Sequence, residues 1–297
     1  MLNANQSRRN NWAGICWMIA SMAAFAIEDA FLKSVTKVLP VGQVLMMFGV
    51  GGLCVFALMA RRVRVSVFQA TVFTRNMLFR AMFEFCGRLF YILAIALTPI
   101  SSASAILQAA PLFVVLGARI FLHEKVEPKT WAAIFVGLLG VMIILRPSAD
   151  DFSVLSLLAV LGTLGFVGRD LFSRTAPPAL TKEVLGFYGF CTVVIAGASF
   201  ALWDGKAFVH LDTHQALMIA AALVAGVFGY TALMTAMRTG SIGAVTPYRY
   251  SRLLFGLSIG VLVFGETLDA PMLIGCAVVI GAGLFIGWQN QRRQPVQ

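Results

Sequence analysis

The sequence predicts an all-α membrane protein, with ten transmembrane helices arranged as two inverted-topology five-helix repeats around a central cavity. Hydrophobic residues make up 59% of the 297 residues and charged residues only 12%, which is about half the charged share of a typical soluble domain. Apolar runs recur at about the 17–25 residues that a helix needs to cross a bilayer. Finally, residues of the first half recur in the second half at a nearly constant offset.

Ten apolar runs are long enough to span a membrane, and short connections separate them. Helices are required because the lipid interior offers no hydrogen-bond partner to a strand edge. The first run is too long for the core of a signal peptide, so we expect it to be retained as a span. The predicted spans cover residues 12–32, 41–60, 77–97, 101–121, 130–146, 154–173, 184–203, 216–237, 242–263 and 271–288.

Lysine and arginine are distributed unequally over alternate connections. With the N-terminus inside, 13 of them lie on the inner side and 4 on the outer side, the latter being Lys33, Lys37, Arg146 and Lys206. Cytoplasmic loops carry an excess of these residues, so both termini are predicted to be cytoplasmic in a multi-pass protein of the plasma or inner membrane. The net charge of +10 is spread over short loops and termini, so it does not indicate nucleic-acid binding.

Segments of the first half align with segments of the second half at offsets of 140–142 residues. The aligned positions are Phe25-x3-Asp29-x-Phe31-x-Lys33 with Phe166-x3-Asp170-x-Phe172-x-Arg174, and Ala94, Ile100, Phe113 and Glu124 with Ala236, Ile242, Phe255 and Glu266. We therefore predict one repeat over 12–146 and a second over 154–288. Each repeat has five helices, an odd number, so the second enters the membrane from the opposite side, as in many secondary transporters.

Small-residue turns and Gly-Glu loops occur once in each half. They read Phe90-Tyr91-x2-Ala94, Pro99-Ile100-Ser101-Ser102-Ala103, Ala110-Pro111 and Leu122-His123-Glu124-Lys125 in the first half, and Tyr230-x5-Ala236, Gly240-Ser241-Ile242-Gly243-Ala244 and Phe264-Gly265-Glu266-Thr267 in the second. These motifs resemble the EamA-type ten-helix exporters of the drug/metabolite transporter superfamily, over about 12–288. Two departures are His123, where the family has Gly, and a second copy without the Pro of Ala110-Pro111. The resemblance implies a central cavity and is strongest for amino-acid exporters, including those for aromatic amino acids.

Three charges lie inside the third predicted span, at Arg80, Glu84 and Arg88, and Tyr91 follows them. Residues three and four apart share a helix face, and charges within a span face the bundle interior or a wet cavity. We expect Arg88 to bind a carboxylate, Glu84 an ammonium group or a proton, and Tyr91 to stack on substrate. The alternative is an intrahelical ion pair that only makes insertion tolerable. Arg80 is expected to be an interfacial anchor.

A cationic part of the site is predicted on the ninth span, where Tyr248, Arg249 and Arg252 follow Pro247. The two arginines lie at about one third and one half of its depth, too deep for both to snorkel to the interface. Other spans supply the rest of the predicted substrate site: Trp17, Gln108 and Tyr230. For the aromatic members, packing or contact with lipid is the alternative.

Asp29 and Asp170 are repeat-related acids, predicted at the outer end of the first helix and the inner end of the sixth. With Arg169, we expect them to gate opposite mouths of the cavity. Adjacent residues lie about 100° apart on a helix, so neither Glu28 with Asp29 nor Arg169 with Asp170 is expected to face one direction. The alternative is polarity of helix ends at the lipid headgroups.

These features predict a secondary transporter that exports small metabolites, with amino acids as the expected substrates, by alternating access. The alternatives are an exchanger of anionic metabolites such as sugar phosphates, a membrane-embedded enzyme, and a pore or scaffold without turnover. The sequence has no G-x4-G-K-[ST] motif and no metal-ligand spacing among its five cysteines, so no cofactor or metal is expected. Proton coupling stays open, with Glu84, Asp29 and Asp170 as candidate carriers. Substrate and lipid are the expected partners, and a monomer is favoured over a dimer.

Overall fold

The computed structural model describes residues 2–121, 128–145, 154–174, 180–239 and 246–291. Every regular element within these ranges is helical, which confirms the predicted all-α class. Two 3-10 segments, Ala70–Phe73 and Thr246–Tyr250, also lie within these ranges. The α-helices of the described ranges are α1 Leu2–Thr36, α2 Val41–Arg62, α3 Arg75–Leu97, α4 Ile100–Leu107, α5 Ala110–Phe121, α6 Pro128–Leu145, α7 Ser156–Arg174, α8 Lys182–Asp204, α9 Thr213–Thr239, α10 Ser251–Phe264 and α11 Ala270–Gln291.

The helix ends agree with the predicted spans to within a few residues, except that α1 begins ten residues earlier, at Leu2. Prolines stand at the N-caps of α2 and α4, where the chain enters each helix from an extended residue. Gly205 and Gly265 terminate α8 and α10 in the left-handed conformation, each with φ of 65°. A residue without a Cβ adopts this conformation at little cost, which is why glycine ends helices so often.

The fourth predicted span is interrupted. Where the sequence predicts one helix, α4 ends at Leu107 and α5 begins at Ala110. Pro111 explains the break, because proline has no N–H to donate to the carbonyl four residues earlier, that of Leu107. The repeat-related ninth span is also irregular, since a 3-10 segment containing Pro247 precedes α10.

The chain divides into two compact units. Unit A contains Ile27–Thr98 and Val154–Val227, and unit B contains Met1–Ala26, Pro99–Ser153 and Phe228–Gln297. Each unit contains residues of both predicted repeats. The boundaries of the compact units therefore do not coincide with the predicted repeat boundaries. The repeat boundaries therefore stay a prediction from the sequence.

In unit A, α2 packs against α8, its repeat-related partner, in antiparallel fashion. Gly42 lies against Ala201, Gly49 against Val194, and Gly52 against Phe190. A Cβ on Gly49 would lie 2.8 Å from the backbone nitrogen of Val194. Glycine thus permits a backbone approach that is common between membrane helices.

The second close pair of unit A is α3 and α7, which also run antiparallel. The backbone of Gly165 approaches that of Gly87, and a Cβ on Gly165 would lie 2.3 Å from the nitrogen of Gly87. Phe172 of α7 stacks on two rings of α3, with centroid distances of 5.3 Å to Phe79 and 5.6 Å to Phe83. This packing holds the charged face of α3 at a fixed position beside α7.

Unit B contains two more of the helix pairs that the sequence predicts to be repeat-related. Gly256 of α10 lies against Ser104 of α4, and a Cβ on Gly260 would lie 3.3 Å from the Cβ of Ser101, so α4 and α10 run antiparallel. Helices α6 and α11 share a cluster of buried apolar residues that includes Ile134 and Val279.

Five helices are long and apolar enough to cross a membrane, among the described residues: Asn11–Thr36, Val41–Arg62, Ser156–Ser173, Lys182–Asp204 and Thr213–Ala236. Ile100–Val114, Pro128–Ile144 and Ala270–Ile286 are shorter apolar helices. Helix α3 is not in this set because its apolar run carries several charges. The composition is that of a multi-pass membrane protein, and the orientation of the termini stays a prediction.

Candidate substrate site

Glu84 is the centre of a buried group of charges in unit A. It is only 4% exposed. Its Oε1 lies 3.2 Å from Arg169 Nη1 and 3.8 Å from Arg88 Nε, and its Oε2 lies 3.5 Å from Arg80 Nη2. A buried carboxylate is costly unless it is paired, and here three guanidinium groups surround one. We call this group, with Glu28 and Asp170, the charged cluster.

Arg88 connects the charged cluster to α1. Its Nη1 donates to Glu28 Oε1 at 3.0 Å, and Glu28 is 1% exposed. The guanidinium also lies over the ring of Phe166, 5.9 Å from its centroid. Arg88 therefore contacts an acid of α1 as well as Glu84 on its own helix, so the intrahelical pair considered from the sequence is only part of its surroundings.

Arg169 and Asp170 form an ion pair with each other at the α7 side of the cluster. Arg169 donates to Asp170 Oδ1 from Nη2 at 2.9 Å and from Nε at 3.0 Å. Arg80 donates from Nε to Ser173 Oγ at 2.9 Å and is 5% exposed. The expectation that Arg80 is an interfacial anchor is therefore wrong, because α7 supplies polar partners that bury it. The cluster then holds three guanidinium groups and three carboxylates.

A small cavity lies next to the cluster. Asp29, Arg88 and Tyr91 line it together with apolar side chains, and it has room for about one water molecule. Tyr91 donates its hydroxyl to Asp29 Oδ2 at 3.2 Å, so its phenol makes a polar contact within the protein as well as a ring contact with Phe166. The apolar walls are Leu32, Leu45, Phe48, Ile92 and Ile95.

Lys33 is buried one helical turn beyond Asp29. Its amine donates to the carbonyl oxygens of Ile95 at 2.9 Å and Thr98 at 2.6 Å, at the C-terminal end of α3. A cation is favourable there because the last carbonyls of a helix lack intrahelical partners. Lys33 was predicted in a connection on the outer side, whereas the structure places it within α1.

Six of the predicted site residues meet in unit A around the charged face of α3: Asp29, Glu84, Arg88, Tyr91, Arg169 and Asp170. Glu28 and Asp29 both reach α3 although they are adjacent, contrary to the expectation from the helical angle. Their partners lie three residues apart on α3. Arg88 contacts Glu28, and Tyr91 contacts Asp29.

The other predicted residues lie in unit B. Gln108, at the break between α4 and α5, donates from Nε2 to the carbonyl oxygen of Arg249 at 3.3 Å. Arg252 lies over the ring of Phe25, 5.2 Å from its centroid. Tyr230 packs against the apolar cluster that includes Phe25. The two remaining residues are more open, with exposed fractions of 38% for Tyr248 and 41% for Trp17.

A further polar contact in unit B joins the predicted Gly-Glu loop to α4. Glu266 Oε1 accepts from the backbone N–H of Ile100 at 2.7 Å, and Oε2 accepts from the N–H of Ser101 at 3.0 Å and from the Ser101 hydroxyl. The carboxylate thus satisfies the free donors of a helix N-terminus. The repeat-related motifs Leu122–Lys125 and Gly240–Ala244 lie outside the described residues.

Sequence reasoning did not include four of these residues in the site: Glu28, Lys33, Arg80 and Glu266. Two of them, Glu28 and Arg80, carried a usable signal, because an ionisable residue inside an apolar span is a functional or buried polar residue by default. Within the described residues, no group of His, Cys, Asp and Glu side chains is arranged to hold a metal ion.

Apolar helices and buried charges beside a cavity are a common feature of membrane transporters. Residues 12–146 match the model of the EamA-like transporter family, so this part of the chain is an EamA domain of the drug/metabolite transporter superfamily. Members of that family are transporters and not enzymes, which confirms the class predicted from the sequence. The chain is a transporter of small metabolites.

Three curated relatives align over nearly the whole chain. A riboflavin transporter of Rhizobium johnstonii is 28% identical over 95% of this chain and 93% of its own length. An S-adenosylmethionine uptake transporter of Rickettsia prowazekii is 22% identical over 97% of both chains. A pseudopaline exporter of Pseudomonas aeruginosa is 23% identical over 91% of this chain and 94% of its own. A solved crystal structure shares the fold, with a TM-score of 0.61 and 18% identity over 94% of this chain and 99% of its own.

Proposed function

We propose that this transporter moves amino acids, or metabolites that carry an α-amino-acid group, across the cytoplasmic membrane by alternating access. The observation that carries the proposal is the buried ion pair between Glu28 and Arg88 beside the small cavity. The pair offers one group of each sign at a position enclosed by apolar walls. The substrate-binding and gating roles of the predicted residues belong to this proposal.

A zwitterion suits such a pair better than an ion of one sign does. Its carboxylate replaces Glu28 on Arg88, and its ammonium group then pairs with the displaced Glu28. Neither buried charge is left without a partner, which avoids a cost of about 3–5 kcal/mol for breaking a buried ion pair. The apolar walls suit an uncharged side chain.

Charge balance argues against the alternative of sugar phosphates. Phosphate sites in proteins present a surplus of arginine or lysine donors. The three guanidinium groups of the charged cluster are matched by Glu28, Glu84 and Asp170. A phosphate in unit A would have to displace these acids without pairing them.

Alternating access is supported by features of each unit taken separately. The cavity of unit A is too small for an amino acid, so its walls must separate to admit one. Repeat-related helices pack antiparallel in both units, as an inverted repeat predicts. Unit B contains a helix interrupted between Leu107 and Ala110, and a 3-10 segment precedes α10 in the ninth span; interrupted helices are a common feature of transporters with inverted repeats.

The names of the relatives favour a small polar metabolite as substrate, and they include both directions of transport. The Rickettsia relative is named for uptake and the Pseudomonas relative for export. We keep export, as predicted from the sequence, with both termini cytoplasmic and a monomeric chain.

A second candidate substrate class is a neutral aromatic heterocycle, favoured by the Rhizobium relative and by the aromatic side chains of unit B, where Trp17 packs against Phe228.

Transport into and out of proteoliposomes tests the proposal. Labelled leucine, methionine and phenylalanine are compared with a labelled sugar phosphate and riboflavin, each with and without a proton gradient. We expect saturable flux of amino acids. Flux of the sugar phosphate or of riboflavin alone would overturn the proposal in favour of the corresponding alternative.

Substitution of Arg88 links that flux to the site. We expect Arg88→Gln to reduce amino-acid transport at least tenfold, because the carboxylate loses a charged hydrogen bond worth about 1.5–3 kcal/mol. Arg75 is a matched control on the same helix, since its side chain is exposed and lies over the ring of Phe79. Arg75→Gln should transport like the unsubstituted protein, and equal losses in both variants would contradict the assignment.

A further inference from the structure

We propose that residues 61–73 of unit A, at the end of α2 and in its connection to α3, form a binding surface for the headgroups of anionic lipids. Three exposed arginines lie there, Arg61, Arg62 and Arg64, together with the exposed rings of Phe68 and Phe73. The lysine and arginine distribution predicts that this connection faces the cytoplasm. The surface takes no part in the proposed function, so its test does not depend on which substrate is transported.

The backbone of Arg64 is held in an unfavourable conformation. The N–H of Val65 donates to the carbonyl of Ala60 at 3.0 Å, and the N–H of Arg64 donates to that of Arg61 at 3.1 Å. These two hydrogen bonds are those of a Schellman helix end. They give Arg64 a φ of 56°, a left-handed conformation in which its Cβ is crowded.

Glycine would fit this position better than arginine does. The chain uses Gly205 and Gly265 for the same conformation after α8 and α10, with φ of 65°. At Arg64 the side chain is therefore retained against the local conformational preference. Residues in such conformations often lie at functional sites, which points to a role for the guanidinium group itself.

Helix stability explains two of the three arginines and leaves Arg64 unexplained. Arg61 and Arg62 lie in the last turn of α2, where a cation is favourable beside the carbonyls that lack intrahelical partners. Arg64 follows the helix, and the effect of the helix dipole is confined to its last turn. A negatively charged ligand outside the protein would use all three guanidinium groups.

The connection that follows the arginines is folded onto unit A. Val65 packs against a buried apolar cluster that includes Val72. A short turn follows, in which the N–H of Phe68 donates to Ser66 Oγ at 3.2 Å and Gln69 Nε2 donates to the Ser66 carbonyl at 2.8 Å. The charges are thus presented on a backbone that is already ordered, which reduces the entropy lost when a ligand binds.

The two phenylalanine rings favour a lipid over a soluble phosphate. Phe68 is 79% exposed and Phe73 is 78% exposed, and Phe73 meets the ring of Tyr188 edge-on with 6.4 Å between centroids. Arginine binds phosphate through paired donors, and exposed aromatic rings suit the boundary between headgroups and acyl chains. An anionic phospholipid offers both a phosphate and an apolar chain, and basic segments next to a span attract such lipids.

Binding of dioleoylphosphatidylglycerol to purified full-length protein tests the proposal, with native mass spectrometry from neutral detergent as the measurement. Dioleoylphosphatidylcholine has the same chains without net charge, and glycerol 3-phosphate has the phosphate without chains. We expect phosphatidylglycerol to bind more tightly than both. Equal binding of phosphatidylcholine would show that charge is not recognised, and equal binding of glycerol 3-phosphate would make a soluble phosphate the ligand; either result overturns the proposal.

Arg64→Gln should weaken the binding of phosphatidylglycerol by about fivefold, the factor expected for one basic residue near an anionic lipid surface. Lys206→Gln is the control, since Lys206 is an exposed cation of unit A that is predicted on the outer side and lies 3.1 Å from Asp204. It should bind the lipid like the unsubstituted protein. An unchanged affinity in Arg64→Gln, or the same loss in both variants, would overturn the proposal.

Arg64→Gly separates lipid binding from the stability of the helix end. It removes the same charge as Arg64→Gln but accepts the left-handed conformation. It should therefore unfold at a higher concentration of denaturing detergent than Arg64→Gln, while showing the same loss of lipid affinity. Lipid binding equal to that of the unsubstituted protein would overturn the proposal, and a stability below that of Arg64→Gln would contradict the backbone strain on which it rests.

Discussion

Replacing Glu84 with glutamine tests the interpretation of the charged cluster as a stabilising element. The substitution keeps the shape of the side chain but removes the negative charge that three guanidinium groups share, at 3.2, 3.5 and 3.8 Å. Removing one partner of a buried ion pair typically costs about 3–5 kcal/mol, because the opposite charge stays buried. We expect Glu84→Gln to lose at least that much free energy of unfolding, since Arg80, Arg88 and Arg169 would then face two acids.

The measurement is unfolding of purified protein in mixed detergent micelles titrated with a denaturing detergent, followed by circular dichroism. Glu183→Gln is the control, because its acid is also buried but lies 4.0 Å from a single lysine. A second variant, Glu84→Gln with Arg169→Gln, restores the balance of charge and should recover part of the loss. The reasoning is refuted if Glu84→Gln costs no more than Glu183→Gln, or if the double variant is less stable than the sum of the two single changes.

Three further predictions follow from the packing and the charge distribution. Gly49→Ala should destabilise the protein by about 1–3 kcal/mol, because a Cβ there would lie 2.8 Å from the Val194 nitrogen. Gly281→Ala, where a Cβ would meet nothing within 4 Å, should be neutral in the same unfolding assay. Lys33→Met should cost about 1.5–3 kcal/mol through its lost hydrogen bonds to α3, whereas Lys37→Met, at an exposed position, should cost less than half of that in thermal unfolding. A reporter fused to the C-terminus should behave as cytosolic, and a readout from the outer side would contradict the orientation predicted from the lysine and arginine distribution.

The helices of this protein were predictable from the sequence because lipid imposes a simple rule. A spanning segment must be helical, about 20 residues long and apolar, so the ends of the spans follow from where the apolar runs stop. The break at Leu107 was missed, although Pro111 offered a local signal for it. The clustering of charge on one face of α3 was predictable from helical spacing alone, since Arg80, Glu84 and Arg88 recur every four residues.

The sequence by itself determined that the chain is an all-α membrane transporter and that the charged face of the third span is unusual. Only the tertiary structure decided which charges meet. The pairing of Arg88 with Glu28, and of Glu84 with Arg169, joins residues 60 and 85 positions apart. The second pair depends on α3 and α7, whose backbones approach closely at Gly87 and Gly165, and no local pattern specifies which helix lies opposite another. For the same physical reason, Lys33 and Arg80 seemed to belong to the interface in the sequence and are buried in the fold.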